Sequence, residues 1–337
     1  MLVSVVLLVV LVGGVFYGGR MLVGDLFAGP PDFAGEGSGR ALVEVLPGDT
    51  VRDIGKTLEA AGVVQSSAAF VDAARDEARA TSVQPGFYEL RKRMRAAAAL
   101  ALLLDPASVV KNPVTIPEGK RLSEQLAILS KASKIPVKQF EAVVKDPSGL
   151  GVPDYAENRL EGFVFPATYD VPPNATPESL LTEAVQRFDQ AASTVDIEGR
   201  AKEVGRSPYE VVIIASMIQA EVPEKDFGKV SRVIYNRLAK DMRLDIDATV
   251  NYVVGRPGLD LTEQELRVDS PYNTRRVKGL PPTPINSPGE AALEASLAPE
   301  SGDWIYYVTV DPKTRETKFT ADYDEFLRWK AEYRQNG

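Results

Sequence analysis

The stretch Ser207-Pro-Tyr-Glu-Val-Val-Ile-Ile-Ala-Ser-Met-Ile-Gln-Ala-Glu-Val-Pro223 decides how this chain is read. Ser207 offers a capping side chain, Pro208 sits at a first helical position that needs no N–H, and Glu210 returns the hydrogen bond three residues on. A helix therefore starts there. Val211 to Ile218 is apolar apart from Ser216, so the helix has no solvent face and must be buried. Pro223 disfavours helical geometry at Val222 and stops the helix at or near Glu221. One acid is left at the negative end of a buried helix, on the same face as Ile214, Met217 and Ile218. Both surroundings disfavour its ionised form and should raise its pKa, as a general acid near neutral pH requires. The competing expectation is structural: Arg232, Arg237 or Arg243 neutralises a buried Glu221.

Composition narrows the chemistry around that acid. The 337 residues include no His and no Cys. This excludes a Ser-His-Asp triad, a thiolate nucleophile and zinc held by imidazole or sulfur. Carboxylates are left with most of the plausible chemistry. A net charge of -8 argues against a nucleic-acid partner, because no basic face is there to release counterions. The length allows two or three compact units.

Leu2 to Tyr17 is apolar or small except for Ser4, and the first charge is Arg20. Residues 1–23 are read as a transmembrane anchor, with Gly18 to Val23 extending the span if Arg20 snorkels. A cleaved signal peptide is the rival, but neither a basic leading region nor a clear cleavage site is visible. Residues 24–40 are rich in Gly, Pro and Asp, read as a flexible linker with the folded part starting near Arg40.

In 41–111, alternation through Leu42, Val43 and Val45 leads to a Pro47-Gly48-Asp49 turn. A helical stripe of Val51, Ile54 and Leu58 follows, then a second helix over Ala68 to Ala80, a strand over Gly86 to Leu90 and a helix over Arg91 to Leu104. The order of strand, turn and two helices resembles a LysM-like carbohydrate-binding module. Residues 112–337 form the second domain. Its opening, Val114 to Ile116 before a turn and the stripe Leu122, Leu126, Leu129, repeats the theme of the first.

Further on, Leu160 to Tyr169 is dense in aromatics and carries Glu161: either core packing or a wall for sugar rings. Asp226 is expected to cap a helix with the stripe Phe227, Val230, Ile234 and Leu238. Asp245 and Asp247 lack the further oxygen ligands of a calcium loop, so no metal is expected. The long Pro/Gly-rich loop from Asp269 to Gly289 is a candidate functional loop. A hairpin (Trp304 to Val310 with Lys318 to Thr320) and a helix over Asp322 to Tyr333 close the chain.

Several of these segments together resemble the YceG-like endolytic murein transglycosylases, the MltG family. They are Ile214 to Glu221, Val233-Ile-Tyr-Asn-Arg-Leu238, Met242 to Thr249, Leu160 to Tyr169, and Ser270 to Pro284. Where many members read Glu-x-Glu, this chain has Gln219, Ala220, Glu221, and Asp245-Ile-Asp247 also departs from the usual pattern. The resemblance implies an α+β fold and cleavage of the MurNAc-β-1,4-GlcNAc bond of nascent glycan strands, leaving 1,6-anhydroMurNAc ends. Glu221 would act as acid and then base, without a cofactor. Glu161, Asn236, Asp247, Tyr272 and Asn273 are candidates for sugar contacts or for orienting Glu221. The implied partners are peptidoglycan strands and the penicillin-binding, strand-polymerising proteins, with the catalytic domain outside a single-pass membrane anchor. Two alternatives remain: a non-catalytic peptidoglycan-binding protein, and a muramidase-type hydrolase whose water is activated by Asp247 or Glu161.

Overall fold

The computed structural model describes residues 29–255, 261–311, 314 and 316–336. The fold is mixed α+β, mostly helical, with three separate two-stranded antiparallel sheets among the described residues. The chain divides into two compact units, Met1–Lys111 and Asn112–Gly337. The anchor expected over 1–23 lies outside the described residues. No described helix is long and apolar enough to cross a membrane.

In the first unit, β1 (Glu36–Val45) pairs with β2 (Gly86–Met94), Val43 facing Tyr88. Between them lie α1 (Val51–Ala60) and α2 (Ser67–Arg75), and α3 (Ala96–Leu103) follows. Alternate residues of β1 (Ala41, Val43, Val45) turn inward onto Ile54, Leu58, Phe70 and Leu100. Thr50 caps α1 through a reciprocal pair with Asp53.

Two expectations are corrected here. The stretch read as a flexible linker is partly ordered: β1 begins at Glu36, and before it the Asp32 carboxylate accepts the Ala96 N–H at 3.0 Å while the Pro31 carbonyl accepts the Ser66 hydroxyl at 2.7 Å. The helix read from Arg91 starts only at Ala96, because Arg91 to Met94 continue the ladder opposite Glu36 and Ser38.

In the second unit, β3 (Pro113–Thr115) pairs with β4 (Thr168–Asp170) around α4 (Leu122–Ser133) and α5 (Val137–Lys145). After α6 (Pro177–Thr194) and α7 (Ile197–Arg200) comes the central helix α8 (Pro208–Glu221), opened by the Ser207/Glu210 capping box. Every residue from Val211 to Ile218 is buried. α9 (Phe227–Ala239), α10 (Asp247–Val254) and α11 (Glu290–Leu297) all pack against α8. β5 (Tyr306–Asp311), β6 (Glu316–Thr320) and α12 (Tyr323–Asn336) complete the unit.

Two contacts bind the Pro-rich loop to this core. The Ser216 hydroxyl accepts the Ile285 N–H at 3.1 Å, and the Ser216 carbonyl accepts the Asn286 amide at 2.8 Å. Gly162 passes so close to the loop that a Cβ there would lie 2.6 Å from Pro284, and its φ is +91°. Asp226 does not cap α9. Its side chain makes no capping bond, because a 3-10 turn over Glu224–Asp226 leads straight into the helix.

Candidate active site

Helix α8 ends where its sequence demands, with Val222 extended at φ -140°, ψ 166°. Glu221 is thereby delivered to the wall of an open cleft of about 470 Å³. Segments Gly119–Arg121, Gln219–Glu221, Asp247–Ala248 and Tyr307–Thr309 line it, with Asn251, Ile285 and Asn286. Gly119 donates its N–H to Ser287 O at 2.9 Å, Ser287 donates to Lys120 O at 3.0 Å, and the Gln219 Oε1 accepts the Gly289 N–H at 2.9 Å. The cleft walls on that side are thus held by backbone hydrogen bonds.

Both oxygens of Glu221 are held. The Tyr307 hydroxyl donates to Oε2 at 2.8 Å, and the Ala248 N–H donates to Oε1 at 3.3 Å. Ala248 is the second residue of α10, so its N–H is among those with no partner inside the helix. The carboxyl therefore lies at the negative end of α8 and the positive end of α10, whose dipole effects oppose each other. Burial dominates and raises the Glu221 pKa above the ordinary carboxylate value. The Tyr307 and Ala248 hydrogen bonds pull it back, the nearby Asp247 charge pushes it up and Arg275 lowers it. Burial and the adjacent carboxylate likewise push the Tyr307 phenol well above its ordinary value.

Among the described residues no guanidinium is paired with Glu221. Arg237 is buried and donates to Ile305 O and Leu244 O, both at 2.6 Å. Arg232 donates to the Glu300 and Pro299 carbonyls. Arg243 donates to Arg275 O at 2.8 Å. Arg275 ion-pairs with Asp247 instead. The structural reading of Glu221 as one half of a buried ion pair therefore fails.

Of the other residues singled out in the sequence, only Asp247 joins Glu221 on the cleft wall. Glu161 lies off it: its Oε1 accepts the Leu122 N–H at 2.9 Å and its Oε2 accepts the Tyr252 hydroxyl at 3.1 Å, which ties the start of α4 to α10. Burial raises the Glu161 pKa to about 7, against those two bonds and Arg121, with Glu124 adding to the rise. The Asn236 amide is taken up by the Gly302 and Trp304 carbonyls at 3.2 and 2.9 Å. Asn273 is wholly buried, donating to Leu266 O and Val268 O and accepting from the Arg275 N–H. The Tyr272 hydroxyl is 2.8 Å from that of Thr283 and its ring lies 5.0 Å from Tyr252. These four brace the frame instead of facing the cleft. Among the described residues no group of acids converges to hold a metal.

A family model described as the YceG-like family matches residues 43–332. The chain belongs to the YceG-like family. It is 30% identical over 307 residues to the endolytic murein transglycosylase of Bacillus subtilis, covering 86% of this chain and 84% of that one. To the endolytic murein transglycosylase of Streptococcus pneumoniae it is 31% identical over 297 residues, 79% of this chain, and it spans about half (53%) of that longer protein. A crystal structure of a yceG-like protein from Listeria monocytogenes superposes with a TM-score of 0.60 at 28% identity, covering 86% of this chain and 99% of that one. In this YceG-like chain, Tyr307, Arg275 and the N–H of Ala248 were not singled out from the sequence. Tyr307 falls in the strand expected over Trp304 to Val310, which gave it no more weight than its neighbours. Nothing local announces a partner 86 residues from Glu221.

Proposed function

We propose that this chain is a lytic peptidoglycan transglycosylase that cuts within glycan strands at the MurNAc-β-1,4-GlcNAc bond, with Glu221 as its single proton carrier. The observation that carries the reading is a carboxyl on a cleft wall, held by one hydroxyl and one N–H, paired with no guanidinium among the described residues, its pKa raised by burial. The curated relatives named endolytic murein transglycosylases support the substrate class.

Protonated Glu221 gives its proton to the glycosidic oxygen as the C1–O bond breaks, and the GlcNAc side leaves with a free hydroxyl. The resulting carboxylate takes the proton from the C6 hydroxyl of the same muramoyl residue, whose oxygen bonds to C1. The product is a 1,6-anhydro end and Glu221 is again protonated. No water is consumed. One carboxyl suffices because the nucleophile belongs to the substrate and is already in place, unlike the paired carboxylates of ordinary glycosidases. A hydrolase is less well served: the Asp247 carboxylate is committed to Arg275, and Glu161 is off the wall.

The strand, two helices and strand of the first unit support a LysM-like, glycan-holding role for residues 41–111. The apolar segment 1–23 would anchor the chain with its catalytic unit outside the membrane, beside penicillin-binding or other strand-polymerising proteins. Digestion of purified glycan strands followed by mass spectrometry tests the reaction. Anhydro ends, lighter than reducing ends by one water, should dominate for the wild type and vanish for Glu221→Gln. Reducing ends as the main product would overturn the mechanism, and full turnover by Glu221→Gln would remove Glu221 from it.

A further inference from the structure

We infer that Tyr307 is the positioning residue that keeps the Glu221 carboxyl in one orientation through both halves of the reaction. The inference rests on the reading of Glu221 as the proton carrier. It starts from what each partner of the carboxyl can do. The Ala248 N–H on Oε1 can only donate, which suits that oxygen both in the carboxylate and as the carbonyl oxygen of the neutral acid, and leaves Oε2 to carry the proton. The Tyr307 hydroxyl on Oε2 can donate or accept. When Glu221 is ionised, the phenol donates to Oε2. When Glu221 carries its proton on Oε2, the phenol turns its own hydrogen away and accepts. Among the described residues Tyr307 is the partner on Oε2 that can meet that oxygen both with and without its proton, so the side chain need not swing as the proton comes and goes.

The phenol is itself held in place. The Tyr307 ring stacks on Phe319 of β6 with centroids 6.0 Å apart and planes 27° from parallel. Two residues earlier, the Ile305 carbonyl accepts from the buried Arg237, whose guanidinium also holds Leu244 O, three residues ahead of α10. One guanidinium therefore fixes both the strand that brings the hydroxyl and the segment leading to the Ala248 N–H. The charged groups nearest the pair are Asp247 on α10, Arg275 on the loop, which pairs with it, and Arg237 on α9, while Lys120, Arg121 and Glu124 at the start of α4 line the same cleft. α8 contributes no second titratable side chain to the cleft, since its other lining residues are Gln219 and Ala220.

Tyr307→Phe keeps the ring and its stacking and removes only the hydroxyl. The phenol's hydrogen bond is stronger to the charged carboxylate than to the neutral acid, so its loss makes the carboxyl harder to ionise. Activity requires protonated Glu221 and falls as pH rises through its pKa, so the basic limb of the kcat/KM profile should move upward by roughly one pH unit. At the optimum kcat should fall by about tenfold or more with KM nearly unchanged, since the bond acts on the proton carrier and not on substrate binding. The melting temperature, taken in parallel, verifies that the variant is folded. A role confined to packing would leave the basic limb where it is. An unmoved limb in a folded Tyr307→Phe protein overturns the inference, whatever its kcat. If Glu221→Gln is inactive and the limb is unmoved, this inference alone fails; if Glu221→Gln stays active, the reading of Glu221 fails first.

Discussion

Glu221 and Glu161 are both acids whose burial raises their pKa, and their hydrogen bonds separate them into different tasks. Glu221 faces an open cleft with Asp247 beside it. Asp247→Asn removes a neighbouring negative charge and frees Arg275, and both changes favour ionised Glu221. The basic limb of the kcat/KM profile should then move down, opposite in sign to Tyr307→Phe; an upward shift would contradict the electrostatics drawn here. Glu161 is shut between Leu122 and Tyr252, with its pKa raised from 4.5 to about 7. A raised carboxyl stabilises the fold fully below its unfolded pKa, and that stability is lost as pH rises through the folded value. The wild type should therefore lose stability between about pH 4.5 and 8, on the order of 3 kcal/mol from this group. Glu161→Gln cannot ionise and should flatten that decline in melting temperature against pH. Equal slopes for the two proteins would remove Glu161 from the account.

Among the elements, those with strong local chemistry at both ends were the most legible. Ser207, Pro208 and Glu210 announce the start of α8 and Pro223 its end, and the structure has the helix at Pro208–Glu221. Where long-range pairing overrules local preference, the sequence misleads. Arg91 to Met94 carry helix-forming residues, yet they lie in β2 because Glu36 and Ser38 offer a ladder to join. The glycines around β1 read as a linker because nothing local reveals that ladder. The Asp269–Gly289 loop shows a further limit: Tyr272 and Asn273 look like ligand-binding residues by type, but their polar groups meet the chain's own Thr283, Leu266 and Val268. A buried loop must satisfy its backbone before it can serve a substrate. That tight fit predicts that Gly162→Ala, which places a Cβ 2.6 Å from Pro284 at φ +91°, destabilises the protein by about 2 kcal/mol or more. Denaturant unfolding checks it, and a neutral result would mean the loop is free to withdraw.

At the scale of the whole molecule, the same order of strand, two helices and strand opens each unit, with β1 paired to β2 and β3 to β4, antiparallel in both cases. The repeated theme of Val43 and Val114 was visible in the sequence; the pairing that closes each turn of it was not, since the partner strands lie some 50 residues away in the chain. Every residue of the cleft belongs to the unit Asn112–Gly337. A fragment of residues 112–337 that is folded by circular dichroism should therefore still release anhydro ends from soluble glycan strands, and inactivity of such a fragment would show that the first unit contributes to the reaction. The central claim concerns one proton. Carbon-13 NMR titration of the Glu221 carboxyl, its resonance assigned by its absence in Glu221→Gln, measures that proton directly. The account predicts a midpoint clearly above 4.5, the ordinary glutamate value; a midpoint at or below it would mean that the carboxyl stands ionised in the resting protein and has no proton to give.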